Sequence, residues 1–259
     1  MTGRRIARLT QIKLDSVRLK RTARYQEVKT SDIIKPKWKH VTSRQNNGVS
    51  MTLDNKLGIT DSAELARIEE KISKEQALKL FETGQLNKFG TGTFAELAKI
   101  HEHLFGDIYD FAGKLRSVNI AKGNFRFASA MYLEAALAHI ETMPQSTFDK
   151  IIEKYVEMNI AHPFREGTGR SMRIWLDCIL KKELKQVIDW NNVDKGDYLL
   201  AMERSPVRDT EIKMLLKAAL TDKINDRIVY MKGIDASYFY EGYSAFTAEN
   251  LQNELKQEK

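Results

Sequence analysis

The chain has 259 residues, of which 42% are hydrophobic and 30% are charged, a composition typical of a globular protein with one sizeable core. It contains no run of about 18 apolar residues, which excludes a membrane-spanning helix, and its basic N-terminus lacks the apolar segment of a signal peptide. Its single cysteine, Cys178, excludes an internal disulfide, so we expect a buried thiol and a cytoplasmic protein.

The net charge of +7 is concentrated at one end of the chain. Residues 1–50 hold 13 Lys/Arg and 3 Asp/Glu, whereas the rest of the chain carries slightly more acidic than basic residues. We interpret residues 1–55 as a flexible basic extension, because its charges lack an accompanying apolar stripe. Two interpretations stay open: an arm that binds nucleic acid, an acidic partner or a lipid surface, or a charged tail with no specific ligand.

Helical periodicity begins at about Glu64. Apolar residues at helical spacing predict helices over 73–84, 93–105 and 128–143. Thr93 stands three residues before Glu96, which predicts a capping box at the start of the second helix. Residues 119–128 alternate in character around a Gly-Asn pair, which predicts a β-hairpin.

The second half of the chain also has a helical pattern. Apolar residues recur at helical period over 148–160, a new helix begins at Arg170, and further helices are predicted over 194–202 and 210–220. The chain has only four prolines and few strand-like runs. We therefore predict a mainly α fold, a helical bundle with one small hairpin.

Residues 162–173, which read HPFREGTGRSMR, join two of these helices. Pro163 disfavours helical geometry at His162 and so ends the first helix. Gly167 and Gly169 permit a tight turn with exposed backbone amides immediately before the next helix. A glycine loop that leads into a helix N-terminus is suited to bind an anion, because its free N–H groups and the helix dipole both attract negative charge.

The polar side chains of this segment suggest a phosphate-handling site. His162 has an ordinary pKa of ~6.5, suitable for a general base at neutral pH. Glu166 offers the hard oxygen ligand that Mg²⁺ shares with nucleotide phosphates. Arg170 and Arg173 lie three residues apart, so we expect both guanidinium groups to reach phosphate oxygens.

The segment resembles the signature of the Fic family, His-x-Phe-x-Asp/Glu-Gly-Asn-Gly-Arg-x-x-Arg. Every fixed position matches except Thr168, which replaces the asparagine. The resemblance implies a Fic-type helical bundle over residues 65–230, with the hairpin as a flap over the active site. It also implies protein adenylylation, in which His162 deprotonates a target hydroxyl that attacks the α-phosphate of ATP bound with Mg²⁺. Since Thr has one hydroxyl where Asn has an amide, we expect activity to be retained but reduced, and Thr168→Asn should raise it.

Two further segments support the resemblance. Residues 106–116 resemble the family segment Gly-x-x-Tyr-x-Trp/Phe-Ala-Gly-x-x-Arg, and residues 119–128 resemble the flap, which pairs with an extended target segment. On this basis Lys122 contacts phosphate or nucleotide, although a solvated turn lysine is the alternative. Asn159 lines the nucleotide pocket or only caps its helix. The expected nucleotide contacts are Lys122, Asn159, Gly167, Thr168, Gly169, Arg170 and Arg173.

A regulatory motif is expected near the C-terminus. Residues 237–242 resemble the inhibitory motif Ser/Thr-x-x-x-Glu-Gly/Asn, which at this end of the chain marks class III Fic proteins. The resemblance implies an inhibitory helix over 231–243 that ends at Gly242, with Glu241 facing Arg173, followed by a tail over 244–259. It also implies homo-oligomers and self-modification of a tyrosine, either Tyr238 or Tyr243, whose alternative role is ordinary packing. Ser237, Tyr238 and Glu241 are thus the candidate regulatory residues.

Other functions stay open. The enzyme class allows another nucleotide donor, or removal of AMP instead of its addition. A further alternative is a non-catalytic protein that binds nucleotide and uses the basic arm. In that case Thr168, in place of the asparagine, would have inactivated the catalytic site. If the enzyme adenylylates, type II topoisomerase subunits are a reasonable target class, because some small Fic relatives act on them. The sequence has no Gly-x-x-x-x-Gly-Lys loop, which argues against a P-loop ATPase.

Overall fold

The structure is a computed structural model that describes residues 52–89, 91–122 and 125–257, with side chains up to residue 253. Most of the predicted basic extension, residues 1–51, lies outside the described residues, and so do Gly123 and Asn124 at the expected hairpin turn. No helix in the described part of the chain is long and apolar enough to cross a bilayer.

The described residues form a mainly α fold, which confirms the predicted fold class. The helices are α1 (Ser62–Glu82), α2 (Phe94–Phe105), α3 (Leu133–Thr142), α4 (Phe148–Ala161), α5 (Thr168–Leu184), α6 (Lys195–Arg204), α7 (Thr210–Ala218), α8 (Arg227–Glu241) and α9 (Ala248–Gln257). Short 3₁₀ turns cover Gln85–Lys88, Ala130–Tyr132 and Trp190–Asn192. Two antiparallel pairs join β1 (Ala121–Lys122) to β2 (Phe125–Arg126) and β3 (Val187–Ile188) to β4 (Leu220–Thr221).

Side-chain caps define where several helices begin. Asp61, Thr93, Asp194 and Asp226 each accept a backbone N–H from the first turn of the helix that follows. Each cap satisfies a donor that has no partner inside its helix. The predicted capping box at Thr93 forms only in part, because Glu96 accepts the N–H of Gly92 (2.7 Å).

Helix α5 is the centre of the bundle. Trp175, Leu176, Ile179 and Leu180 are fully buried, and the helix packs against α2, α4 and α8. A helix buried on several sides needs apolar residues around most of its circumference, as this segment has. Because the expected catalytic loop leads directly into α5, that loop is anchored on a helix at the centre of the core.

Several predicted elements differ from the observed ones. The helix predicted over 73–84 is part of α1, which begins at Ser62, and the one predicted over 128–143 is divided into a 3₁₀ turn and α3. The sequence predicted one hairpin, but β3 also pairs with β4, with Val187 opposite Thr221, a long-range pairing that local patterns do not reveal. Residues 244–259, expected as a tail, contain α9, which packs on α1 and α8.

Candidate active site

The loop from His162 to Gly167 connects α4 to α5 through two left-handed residues. His162 ends α4 with φ of 48°, and its N–H still reaches the carbonyl of Met158. Gly167 precedes α5 with φ of 74°, and a Cβ there would collide with the ring of Phe105. Glycine is therefore required at position 167 for both its backbone conformation and its lack of a side chain.

The imidazole of His162 is half-buried and stacks on Phe127 of the flap, with ring centroids 3.8 Å apart. Burial lowers the pKa of His162 to about 3, and the positive charge of Lys122 contributes to the shift. Its Nδ1 is buried. The ring is therefore neutral at physiological pH, which is the state a proton acceptor requires.

Arg116 ties this histidine to the flap. Its Nε donates to the carbonyl of His162 (2.7 Å), and its terminal nitrogens donate to the carbonyls of Val118, Ala128 and Ala161 at 2.6 to 3.0 Å. The side chain is only 5% exposed. The sequence places Arg116 in a segment that resembles the family but does not predict its role. The four carbonyls that it satisfies belong to separate segments, which local sequence patterns do not bring together.

His101 supports the loop from α2. Its Nδ1 accepts the N–H of Gly113 (2.9 Å), so Nε2 carries the proton and donates to the carbonyl of Glu166 (2.8 Å). The ring stacks on Phe164, and burial lowers its pKa to about 3. Sequence reasoning missed this role, whose only signal was a histidine on an apolar helical face.

The hydroxyl of Thr168 is directed into the loop itself. It donates to the carbonyl of Phe164 (3.2 Å) and lies 3.3 Å from the N–H of the same residue. Thr168 is 1% exposed. In this conformation its side chain therefore tethers the loop, and a contact with nucleotide would have to come from its backbone.

Arg170 and Glu166 belong to a buried charged network. Arg170 pairs with Glu69 of α1 (2.7 Å) and with Glu166 (3.1 Å), and its guanidinium lies over the rings of Phe105 and Tyr243. It is 1% exposed, so its side chain does not reach the surface where we expected it to hold phosphate. Glu69 had no sequence signal, since its partner lies about a hundred residues away.

Glu166 is the candidate magnesium ligand, and its side chain is 31% exposed. Burial raises its pKa, and the nearby carboxylate of Glu69 adds to the shift. Its Oε1 accepts the N–H of Gly167 as well as Arg170. No group of three His, Cys, Asp or Glu side chains suited to a metal occurs among the residues described. A single carboxylate fits Mg²⁺ that is held mainly by nucleotide phosphates.

Arg173 is bound by residues of helix α8. Its Nε donates to the hydroxyl of Ser237 (2.6 Å), and its Nη2 donates to the Ser237 carbonyl (2.9 Å) and to Oε1 of Glu241 (3.0 Å). Arg173 and Ser237 are each 2% exposed. The guanidinium expected to hold a nucleotide phosphate is thus occupied by groups of the same chain.

Glu241 also binds the flap. Its Oε2 lies 2.8 Å from Nζ of Lys122 on β1, and a Cβ at Gly169 would collide with Oε1. Burial opposes ionisation of Glu241, but Lys122 and Arg173 hold its pKa well below the usual range. An ionised carboxylate therefore lies at the N-terminus of α5, against the glycine that was expected to face phosphate.

The two tyrosines expected to undergo self-modification are buried. Tyr238 is 1% exposed and Tyr243 is 8% exposed, and the Tyr243 hydroxyl donates to Glu69 (2.9 Å). Both rings pack around Arg170. In this conformation neither hydroxyl is accessible, so the packing role that the sequence left open is the one observed. Asn159 lies on α4 one turn before His162 and is half-buried.

A helical bundle with this loop and flap defines the class of the protein. The Fic/DOC family matches residues 92–180, and the chain belongs to this family, as the motif predicted. It is 33% identical over 196 residues to the protein adenylyltransferase VbhT of Bartonella schoenbuchensis, over 70% of this chain and 40% of VbhT. It therefore spans about two fifths of VbhT. The probable protein adenylyltransferase y4lH of Sinorhizobium fredii is 30% identical, over 59% of this chain and 82% of y4lH.

Solved structures show the same fold. The BepC protein of Bartonella tribocorum, solved with bound AMPPNP, aligns with a TM-score of 0.54 and 18% identity, over 68% of this chain and 95% of BepC. The N-terminal Fic domain of an effector from Bartonella sp. AR 15-3 aligns with a TM-score of 0.56 and 17% identity, over 68% of this chain and 90% of that domain.

Proposed function

We propose that the protein is an adenylyltransferase, of the C-terminally inhibited class III type, that transfers AMP from ATP to a hydroxyl side chain of a target protein. The observation that carries the proposal is the position of Glu241, whose carboxylate joins Arg173 to Lys122 over the N-terminus of α5. An anion held by two cations and a helix N-terminus marks a site built for phosphate. The names of the relatives support AMP as the transferred group.

In the proposed reaction, the neutral imidazole of His162 accepts the proton of the target hydroxyl. The oxygen attacks the α-phosphorus of ATP, the bond from that phosphorus to its bridging oxygen breaks, and pyrophosphate leaves. Arg173 and Lys122 hold the phosphates that leave, and the amides of the glycine loop face the α-phosphate. Glu166 would hold Mg²⁺ together with the phosphates, and the bound ion would supply further charge neutralisation.

The flap positions the target. Strands β1 and β2 are two residues each, and such a short hairpin leaves backbone groups available to an extended segment of another protein. Phe127, at the base of the flap, covers His162, so the target hydroxyl must displace or slide past this ring. The transfer therefore requires an approach to His162 that Phe127 restricts in this conformation.

Inhibition follows from the position of Glu241. With its carboxylate on Arg173, a triphosphate cannot place its terminal phosphate in the productive position. The α-phosphate is then misaligned for attack, and a displacement of about 1 Å costs on the order of 10²-fold in rate. Ser237 adds two contacts to the same guanidinium, so the helix and not the glutamate alone holds Arg173.

The test uses the Glu241→Gly variant and its Glu241→Gly/His162→Ala partner with cell lysate and Mg²⁺. Each receives ATP labelled at either the α- or the γ-phosphate. We expect labelled protein bands only from α-labelled ATP and only with His162 present, and an added AMP by mass spectrometry. Label from the γ-phosphate would indicate phosphorylation, and binding without label transfer would indicate a non-catalytic protein. A different added mass would identify another donor.

Type II topoisomerase subunits are the first targets to test in purified form, as the family resemblance suggests. Self-modification at Tyr238 or Tyr243 would require α8 to leave its place, because both rings are buried. We place the reaction in the cytoplasm, since it consumes ATP and the only cysteine of the chain, Cys178, is a free thiol. Self-association and nucleic-acid binding by residues 1–50 remain proposals for separate measurement.

A further inference from the structure

A cavity of about 280 Å³ opens between α5 and α8. His162, Glu166 and Lys122 do not line it, so it is separate from the catalytic loop. Arg173 and Ser237, in contrast, both contribute to its wall. The cavity therefore borders the contact between α5 and α8 that holds the phosphate-binding arginine.

Most of the lining is apolar. One side is formed by α5, with Ile174 and Cys178, and the opposite side by α8, with Val229 and Ile234. Aromatic rings complete it: Phe81, Tyr230 and Trp190. A concave site with mainly apolar walls and a few polar groups is the usual form of a small-molecule site.

Positive charge dominates the polar part of the lining. Lys181, Lys182, Lys185 and Lys223 line the cavity, and the last three are exposed. Two carboxylates of the lining are occupied within the protein. Asp177 accepts the N–H groups of Ile188 and the Trp190 indole, and Asp226 caps α8. The lysines therefore outnumber the available acidic groups.

We propose that this cavity binds an amphipathic organic anion. Its apolar body lies between α5 and α8, and its carboxylate, sulfonate or phosphate group pairs with the lysines. The cavity volume limits the body to a small aromatic system or a short alkyl chain. The proposed transfer of AMP does not use this cavity, so the assignment of a ligand here is independent of that reaction.

Occupancy of the cavity should hold α8 in place. Because α8 forms one whole wall, the cavity exists only while α8 is docked on α5. A ligand that binds one of two states shifts the equilibrium towards that state. The ligand thus stabilises the Ser237–Arg173 contact. Binding of the ligand does not depend on the proposed function, whereas its expected effect on enzyme activity does.

The probe is 8-anilinonaphthalene-1-sulfonate, an aromatic anion whose fluorescence rises on binding, and its neutral control is N-phenyl-1-naphthylamine. The variant Lys182→Gln/Lys223→Gln removes two charges from the lining, whereas Lys217→Gln/Lys232→Gln removes two exposed charges that do not line the cavity. We expect the first variant to bind the anion about tenfold more weakly and the neutral probe equally, and the second variant to behave as wild type.

Cys178 reports where the probe binds, because it is the only cysteine of the chain and it lines the cavity. The saturating anion should slow its labelling by methyl methanethiosulfonate at least tenfold. Hydrogen exchange of the α8 amides should slow at least threefold under the same conditions, with no nucleotide present. Unchanged labelling of Cys178, or equal binding of the anion by the two double variants, would overturn the site.

Discussion

The guanidinium of Arg173 donates to the carboxylate of Glu241 across 3.0 Å, from α5 to α8. The two residues are separated by 68 positions in the sequence, and both side chains are largely buried. Such a contact can act as a gate, which means that it controls whether the arginine is available to bind a second partner. The proposed second partner is the phosphate chain of ATP, and the predictions below separate the gate from the chemistry.

The first prediction compares two changes on α8. Glu241→Gln keeps the shape of the side chain but removes its charge, so Lys122 and Arg173 lose their shared anion. We expect label transfer to rise at least tenfold, while the free energy of unfolding falls by on the order of 2 kcal/mol, because a buried guanidinium loses its ion pair. Ser237→Ala, which leaves Glu241 in place, should release less activity. Transfer assays and urea unfolding measure the two effects, and a rise in stability with no rise in transfer would contradict the gate.

The second prediction concerns the two roles of Lys122. In the wild-type background, Lys122→Met removes one cation from Glu241 and should raise transfer a few-fold. In the Glu241→Gly background the same change removes only a proposed phosphate contact, so the affinity for ATP should fall. A change of sign between the two backgrounds is the expected result of this double-mutant cycle. If Lys122→Met had no effect in the second background, Lys122 would be only a partner of Glu241.

The third prediction concerns Arg116, which holds His162 and both ends of the flap. Arg116→Lys keeps the charge but cannot span four carbonyls. We expect unfolding to become easier by about 2 to 4 kcal/mol, because buried carbonyls lose their donors. In the Glu241→Gly background, transfer should fall about tenfold even at a temperature where the variant is folded. Arg126→Lys, an exposed change on the neighbouring strand, is the control and should leave both quantities unchanged.

Sequence patterns predicted the parts of the fold that depend on local chemistry. The ends of α2, α4 and α5 follow from Thr93, Pro163 and the glycines, whose effects act within a few residues. The contact between Glu241 and Arg173 was also expected, but from the resemblance to a family and not from the residues themselves. Its geometry in the structure is close to that expectation.

Contacts between segments far apart in the chain could not be predicted from sequence patterns. Nothing near Arg170 indicates that Glu69, in α1, takes its guanidinium and so removes it from the surface. The same holds for the pairing of β3 with β4 and for the docking of α9, each of which depends on segments far apart in the chain. The single sequence carries periodicity and spacing, but partners across the core are decided by packing.

The fourth prediction is a pH dependence of stability. Burial holds the pKa of both His101 and His162 at about 3, below the ordinary value of about 6.5. The unfolded chain therefore binds two protons that the folded protein does not, and stability falls as the pH drops from 6.5 towards 3. His162→Asn removes one of these sites, and asparagine tolerates the left-handed backbone of this position.

Urea unfolding at several pH values measures this slope. Between pH 5 and pH 4 the His162→Asn variant should lose less stability than wild type, by up to about 1.4 kcal/mol per pH unit. Because both proteins contain the same carboxylates, the difference between their slopes reports mainly on the histidine. If the free energy of unfolding had the same pH dependence in both proteins, His162 would take up a proton in the folded state. That result would contradict the buried, neutral imidazole described above.

The fifth prediction concerns Thr168. Thr168→Val removes the hydroxyl that bonds the backbone of Phe164, so unfolding should become easier by roughly 1 to 2 kcal/mol, whereas Thr168→Ser keeps the hydroxyl and should cost less. Thr168→Asn supplies both a donor and an acceptor, and in the Glu241→Gly background it should raise transfer. Lower transfer with asparagine would show that the threonine is adapted to this loop.

The most direct test of the gate is the rate of AMP transfer to one purified target by wild type and by Glu241→Gly, at equal ATP and Mg²⁺. The account predicts little transfer by wild type and a rate on the order of 10²-fold higher once the carboxylate over Arg173 is gone. Adding His162→Ala to the variant should abolish the gain. Equal rates for wild type and Glu241→Gly would contradict the account, because the carboxylate of Glu241 would then not prevent Arg173 from binding phosphate.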